Sequence, residues 1–96
     1  MRRLILLALS VMLVVPLLGQ NVRVSGTVRD ADGTTLPGVG VVQRGDLKNG
    51  TVTDIDGKYS ITVPSDGFLE FSSLGFKTVL EAVSGRAVID VRMSSE

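Results

Sequence analysis

Two short acidic segments contain the residues of this sequence best suited to chemistry. Each reads Asp-x-Asp-Gly, at Asp30–Gly33 and at Asp54–Gly57. Calcium loops are built from paired carboxylates beside a glycine turn, so the candidate metal ligands are Asp30, Asp32, Asp54 and Asp56. An EF-hand loop also needs a closing Glu eleven residues after its first Asp, where this chain has Val41 and Ser65. We therefore predict that the Asp side chains accept hydrogen bonds from backbone N–H groups within turns, with a bound cation as the weaker alternative.

The rest of the composition offers little for catalysis. The chain has no His and no Cys, which removes the usual general base, the thiolate nucleophile and the common zinc ligands. A Ser–Lys pair stays formally open, whereas Glu70 and Glu81 are interpreted as solvated strand residues. We predict a protein that is not an enzyme and needs no cofactor.

Three other features are weighed as binding motifs. The Gly38-Val-Gly40 segment lacks the third glycine and the following helix of a dinucleotide site, so it is interpreted as the start of a strand. The Asn49-Gly50-Thr51 segment matches an N-glycosylation pattern, but Asn-Gly also favours a two-residue hairpin turn, which we predict here. Glycan binding needs exposed aromatic rings, and Phe68 is the aromatic residue predicted to face outward.

Alternating apolar and polar side chains predict the strands that position these turns. In the first strand Val22, Val24, Gly26 and Val28 alternate with Arg23, Ser25, Thr27 and Arg29. A second strand spans Val39–Arg44, a short one centres on Val52, and another spans Phe76–Glu81. The inward side chains of the remaining strands are predicted to be Tyr59, Ile61, Val63, Leu69, Phe71, Ala87, Ile89, Val91 and Met93. Seven short strands separated by turns indicate an all-β sandwich or small barrel.

The second strand is the predicted contact surface. A strand at a sheet edge can take up an extended segment of a partner protein by β-augmentation. We predict such an edge at Val39–Arg44, with the contact residues Val39, Val41, Val42 and Arg44.

The first nineteen residues differ in character from the rest. Arg2 and Arg3 precede an apolar run, Leu4–Leu18, and Gly19 offers a small residue for cleavage. This pattern predicts a secretory signal peptide over residues 1–19 and a mature domain over residues 20–96. A retained membrane anchor and a buried helix are the alternatives, although the run is short for a membrane span. Export of a chain without cysteine suits the periplasm.

Charge and length narrow the function further. Ninety-six residues allow one domain. The formal net charge is zero, and removing Arg2 and Arg3 from ten basic residues leaves eight against ten acidic ones, a net of −2. No basic block is present to bind phosphate backbones, so nucleic acid is not predicted as a partner.

Several motifs in order carry a resemblance to a known family. They are Val24-Ser-Gly-Thr-Val-Arg-Asp-Ala-Asp-Gly33, Leu36-Pro-Gly-Val39, Gly50-Thr-Val-Thr-Asp-Ile-Asp-Gly-Lys-Tyr59, Val63-Pro64 and Ser73-Leu-Gly-Phe-Lys77. The sequence resembles the carboxypeptidase-regulatory-like domain, in the version found at the N-terminus of SusC/RagA-type TonB-dependent outer-membrane transporters. The resemblance implies a seven-stranded antiparallel, transthyretin-like β-sandwich without catalytic residues. It also implies a place at the periplasmic side of the outer membrane, with transport proteins as partners.

Two functions follow as expectations. The sequence ends at Ser94-Ser95-Glu96, where a transporter of this type would continue into a TonB box and a plug. We expect either a fragment or a separate copy of the transporter's N-terminal domain, acting as a periplasmic interaction domain. The alternative is a free-standing secreted module that binds a glycan or a surface protein.

Overall fold

A computed structural model describes residues 20–96, and the predicted signal peptide lies outside the described residues. The described part is all strand and turn, and it contains no helix long and apolar enough to cross a membrane. Its strands are β1 (Asn21–Asp30), β2 (Gly40–Gln43), β3 (Asp46–Val52), β4 (Lys58–Pro64), β5 (Phe68–Ser72), β6 (Val79–Ala82) and β7 (Val91–Met93).

The strands form two sheets that pack as a sandwich, which confirms the predicted fold class. The first sheet has the order β4-β1-β7 and the second the order β3-β2-β5-β6. The chain crosses from one sheet to the other four times, and only β2–β3 and β5–β6 are hairpins within a sheet. All neighbours are antiparallel except β1 and β7, which run parallel. Parallel strands need a long connection, and here the intervening strands provide it.

The core between the sheets contains most of the inward side chains that alternation predicts, together with Val39, Val41 and Val83, which were not predicted as core residues. Burial is complete for Val24 and Val28 on β1 and for Leu69 and Phe71 on β5. Tyr59 on β4 meets Phe71 edge to face, with ring centroids 5.4 Å apart. The other predicted inward residues are also buried, namely Ile61, Val63, Ile89, Val91 and Met93. Ala87 is the exception, because it is exposed in the turn region before β7.

The first hairpin turn lies five residues before its predicted place. The turn is formed by Arg44-Gly45, where Gly45 has φ of +91°, and Asn49 and Gly50 lie within β3. The Asn49 side chain makes hydrogen bonds instead of forming the turn. Its Nδ2 donates to Gln43 Oε1 at 2.9 Å and to the Thr62 carbonyl of β4 at 2.8 Å, which links the two sheets.

Two predicted strands are shorter than expected. The strand predicted at Phe76–Glu81 begins at Val79, because Phe76 turns toward the core and bridges to Ser95. The strand expected over residues 87–93 is reduced to β7, preceded by a single bridge from Val88 to Ser25. Side chains replace backbone hydrogen bonds in the gap between that bridge and β7.

Candidate functional site

The two Asp-x-Asp-Gly segments form turns of the same geometry. Oδ1 of Asp30 accepts the N–H of Asp32 at 2.9 Å and that of Thr34 at 3.0 Å. Oδ1 of Asp54 accepts the corresponding N–H groups of Asp56 and Lys58 at 2.9 and 3.0 Å. In each turn the glycine N–H donates to the carbonyl of the first Asp, at 3.1 and 2.9 Å. The first carboxylate of each segment is therefore a structural acceptor.

The glycines that end these turns are needed for backbone shape. Gly33 and Gly57 have φ of +88° and +76°, and a Cβ on Gly57 would lie 2.8 Å from the Val28 carbonyl oxygen. The second carboxylates, Asp32 and Asp56, are exposed and accept no side-chain hydrogen bond from any residue among 20–96. Among residues 20–96 no group of three or more acidic, His or Cys side chains is arranged to hold a metal ion. The arrangement favours turn chemistry, and a bound cation stays a prediction at Asp30, Asp32, Asp54 and Asp56.

The predicted contact edge at Val39–Arg44 is wrong as an edge. β2 lies inside its sheet and pairs with β3 on one side and β5 on the other. Val39 and Val41 are fully buried, and Arg44 lies in the hairpin turn. The hairpin to β3 and the return of β5 occupy both sides of β2. Of the four residues, Val42 and Arg44 remain accessible from outside.

Side chains complete the pairing between β1 and β7 at the centre of the first sheet. The Tyr59 hydroxyl donates to the Ile89 carbonyl at 2.6 Å, and the Thr27 N–H donates to Asp90 Oδ1 at 2.9 Å. In a regular parallel ladder the Thr27 N–H and the Ile89 carbonyl would bond to each other. A Cβ on Gly26 would lie 2.0 Å from the Ile89 carbonyl oxygen, so only glycine fits there. Burial, with the nearby carboxylates of Asp90 and Glu81, raises the pKa of Tyr59 to about 12, while the Arg86 guanidinium acts in the opposite direction.

The outer face of the first sheet is polar. Its outward side chains on the three strands are Arg23, Ser25, Thr27, Arg29, Lys58, Ser60, Thr62 and Arg92. Several of them are bonded within the face. Arg23 Nε donates to Ser60 Oγ at 2.9 Å, and Arg92 Nη1 donates to the Ala31 carbonyl at 3.2 Å. Val88, beside this face, is its exposed apolar residue. This surface is solvated, and four of its side chains, Arg23, Ser60, Arg29 and Arg92, make hydrogen bonds within the domain.

The outer face of the second sheet is mostly apolar, with Glu70 and Ser72 as polar positions on β5, and it offers the candidate functional surface. Its exposed side chains include Val52 (63%), Phe68 (44%) and Leu80 (44%), with Leu47 (77%) at the rim. A shallow groove crosses β2 and β3, lined by Gly40, Val42, Leu47, Lys48, Gly50, Thr51 and Val52. Exposed apolar residues that cluster on one face mark interaction surfaces more often than scattered ones do.

The prediction that Phe68 faces outward is confirmed, but the groove was not predicted from the sequence. Phe68 is half exposed, whereas Tyr59 and Phe71 are buried and Phe76 is partly buried. The missed signal lies in Gly40 and Gly50, two glycines that occupy outward strand positions. Glycine weakens a strand and often marks a place where another backbone approaches closely.

Comparison with known proteins agrees with this architecture. A family model described as "CarboxypepD_reg-like domain" matches residues 24–96, and the chain belongs to this family. Similar curated proteins are TonB-dependent receptors P39, P3 and P26 of Formosa agariphila, at 46%, 43% and 38% identity over 74, 74 and 73 residues. The matched segment covers 75–76% of this chain but only 7% of each relative.

Proposed function

Taking membership of this family as the premise, we propose that residues 20–96 form a non-catalytic, periplasmic interaction domain of the kind that TonB-dependent receptors carry at their N-terminus. The domain would present a surface to neighbouring proteins of the outer-membrane transport machinery. The observation that carries the proposal is the contrast between a polar, internally bonded outer face and an apolar, grooved one.

The relatives support the transport context. All three named relatives are TonB-dependent receptors, and the matched segment is a small part of each of them. On this proposal, the matched segment would be a module attached to a larger protein. The predicted signal peptide over residues 1–19 supports export.

The disposition of the reactive groups supports a role without catalysis. The first carboxylate of each acidic turn accepts two backbone N–H groups, and the hydroxyl of Tyr59 is committed to the Ile89 carbonyl. Catalytic groups are expected in a concave pocket with perturbed pKa values, within reach of one another. Among the described residues, the lining of the groove on the second sheet contains Lys48 as its charged residue and Thr51 as its hydroxyl-bearing residue, and it contains no carboxylate. Screening the chain against broad hydrolase substrates should give no turnover.

The proposal is tested by removing and restoring the domain. The matched 74-residue segment is deleted from TonB-dependent receptor P39, and residues 24–96 of this chain are then grafted in its place. Deletion should lower uptake through the receptor or remove a co-purifying protein, and the graft should restore the loss. Unchanged uptake and unchanged co-purification after deletion would argue against an interaction domain.

A glycan-binding module is the second candidate, and it rests on Phe68. An aromatic ring that is 44% exposed can stack on a sugar. Because Tyr59 is the only Tyr and the chain has no Trp, amide shifts are the better readout for a glycan titration. Shifts centred on Phe68 would support this function, whereas a flat response at millimolar glycan would remove it.

A further inference from the structure

The two sheets have four edge strands, and three of these edges are short or closed within the described residues. On β4, the outward carbonyl of Thr62 accepts the Asn49 side chain, and the outward N–H of Lys58 donates to Asp54. On β6, which has four residues, the Arg86 guanidinium folds back onto the carbonyl of Ala82. β7 has three residues, and the chain after it pairs with the connection between β5 and β6. These features block the addition of another strand.

The fourth edge, on β3, is open along Gly50 and Val52. The Thr53 N–H donates to the Val39 carbonyl at 3.0 Å, which fixes the phase of the ladder between β2 and β3. In an antiparallel ladder bonded and non-bonded pairs alternate. Thr51 therefore bonds to Val41, while the N–H and C=O groups of Gly50 and Val52 point away from β2. Both residues are exposed.

The groove lies beside this open edge. Gly50 stands opposite Val42 on β2, and a Cβ on Gly50 would lie 2.8 Å from Val42 Cγ1. Gly40 stands opposite Val52 in the same way. The missing side chains leave an apolar floor at Val42, with Leu47 and Lys48 at one end and Val52 at the other. An apolar side chain on an added strand, opposite Gly50, would reach this floor.

Charge at the end of the groove adds a second requirement. Lys48 is exposed, and the described residues contain one ion pair, Arg86–Glu81, so Lys48 is not neutralised by a salt bridge. Arg44 in the hairpin turn adds positive charge nearby. The negative charge of Asp46 opposes the positive charge of Arg44 and Lys48. Oδ1 of Asp46 already accepts a hydrogen bond from the backbone N–H of Lys48 at 3.3 Å. On the far side of Val42 lies Glu70, on β5.

We propose that the edge of β3 binds an extended segment of a partner protein by strand addition, with an apolar side chain over Gly50 and a carboxylate beside Lys48. The segment runs antiparallel to β3, as every pair in this sheet does. It exchanges backbone hydrogen bonds with Gly50 and Val52 and places its C-terminal end near Lys48. This inference rests on the proposed interaction function, and it names the site and the chemistry of the partner.

The test uses a synthetic peptide with the full chain labelled with ¹⁵N. The probe is an eight-residue peptide with the core Val-Thr-Val-Thr-Glu, which places its two Val opposite Val52 and Gly50 and its Glu near Lys48. Titration should shift the amides of Gly50 and Val52 first. A peptide methylated on alternate backbone nitrogens should bind at least about fivefold more weakly, because it loses hydrogen bonds to the edge.

Matched variants locate the site. Val52→Pro removes an outward N–H without breaking a bond to β2, and it should weaken peptide binding by about fivefold to tenfold. Leu80→Pro makes the equivalent change on the edge of β6 and should leave the affinity unchanged. Lys48→Glu alters an exposed side chain, so it should not affect folding. It should weaken binding of the Glu peptide and improve binding of a peptide with Lys in place of Glu.

Three results would overturn the proposal. The first is amide shifts that centre on β6, and the second is no shift at millimolar peptide. The third is a concentration-dependent dimer of the full chain that protects Gly50 and Val52, which would make a second copy the occupant. Failure of the graft in receptor P39 would count against the interaction function itself. A successful graft that is insensitive to Val52→Pro would count only against β3 as the binding site.

Discussion

The two outer faces of the sandwich are built by the same alternation of side chains, but they differ in polarity and in how far their polar groups are hydrogen-bonded. On the sheet β4-β1-β7, outward positions carry Arg, Lys, Ser and Thr, and side chains such as Arg23 and Arg92 are bonded within the face. On the sheet β3-β2-β5-β6, outward positions include glycine, Val, Phe and Leu, and the backbone of β3 has free donors and acceptors. One face is complete in the isolated domain, whereas the other is suited to being covered.

The same contrast holds for the glycines of the two sheets. Gly26 is required inside the domain, because the Ile89 carbonyl and the Tyr59 ring occupy the space where a side chain would lie. Gly50 faces outward, and its missing side chain leaves room on the surface. A glycine in a strand can therefore serve internal packing or an external contact, and its position relative to the core distinguishes the two.

The largest expected effect compares these two glycines. Gly26→Ala should lower the free energy of unfolding by about 3 kcal/mol or more, because the new Cβ meets a backbone carbonyl that cannot move aside. Gly50→Ala should cost less, about 1 kcal/mol, because its Cβ would lie 2.8 Å from the Val42 side chain and 3.3 Å from the Val41 carbonyl oxygen, while alanine also restricts the unfolded chain. Urea unfolding followed by circular dichroism measures both. Equal losses would remove the distinction between the two faces.

The next effect tests the side chains that complete the first sheet. Tyr59 has a pKa of about 12 in the folded chain against an ordinary value of 10.0, so the unfolded chain loses its proton first as pH rises. The stabilisation is therefore fully present below about pH 10 and is lost toward about pH 12, at about 1.4 kcal/mol per pH unit.

Because the chain has a single Tyr, its absorbance reports this titration directly. Tyr59→Phe should lower the free energy of unfolding by about 1–2 kcal/mol at neutral pH, since the Ile89 carbonyl loses its donor. The variant should also lose the part of the alkaline destabilisation that comes from Tyr59. A Tyr59 that titrates near pH 10 in the folded chain would contradict the assigned hydrogen bond and burial.

An effect of intermediate size on the free energy of unfolding distinguishes the first carboxylate of each acidic turn from the second. Asp30→Ala and Asp54→Ala each remove the acceptor of two backbone N–H groups and should cost about 1–2 kcal/mol. Asp32→Ala and Asp56→Ala should change the free energy of unfolding by less than about 0.5 kcal/mol. Calcium should leave the melting temperature of the unaltered chain unchanged. A rise in melting temperature that needs Asp32 or Asp56 would instead establish a cation site.

The smallest expected effect is on the apolar outer face. Val52→Thr should change the free energy of unfolding by less than about 0.5 kcal/mol, because Val52 lies mostly in solvent. The matched change Val41→Thr buries a hydroxyl in the core and should cost about 1–3 kcal/mol. Thermal unfolding of the two variants measures the difference. A large loss from Val52→Thr would mean that this face already supports the fold.

Local pattern predicted most of this fold, because the core depends on alternation that is visible in the sequence. The inward positions of β4 and β5, and the two acidic turns, follow from neighbouring residues alone. The errors involve contacts between distant residues. The bond from Asn49 to Thr62 joins residues that are distant in sequence, so the neighbours of Asn49 predict a turn instead. Sheet order is a property of the whole chain, so the residues of Val39–Arg44 alone could not show that this strand lies inside its sheet.

The open edge of β3 was unpredictable for the same reason. It depends on which strands lie beside β2 and on the phase of their hydrogen bonds. Gly40 and Gly50 are visible in the sequence. Their part in the groove depends on the pairing of β2 with β3, which places both glycines beside Val42 on the outer face.

Site-specific photo-crosslinking in cells that make the full-length protein tests the contrast between the two faces most directly. A photoreactive phenylalanine is placed at Val52 on the second sheet or at Ser60 on the first, both exposed positions. The account predicts a protein adduct from position 52 and none from position 60. An adduct from position 60 alone, or equal adducts from both positions, would contradict it.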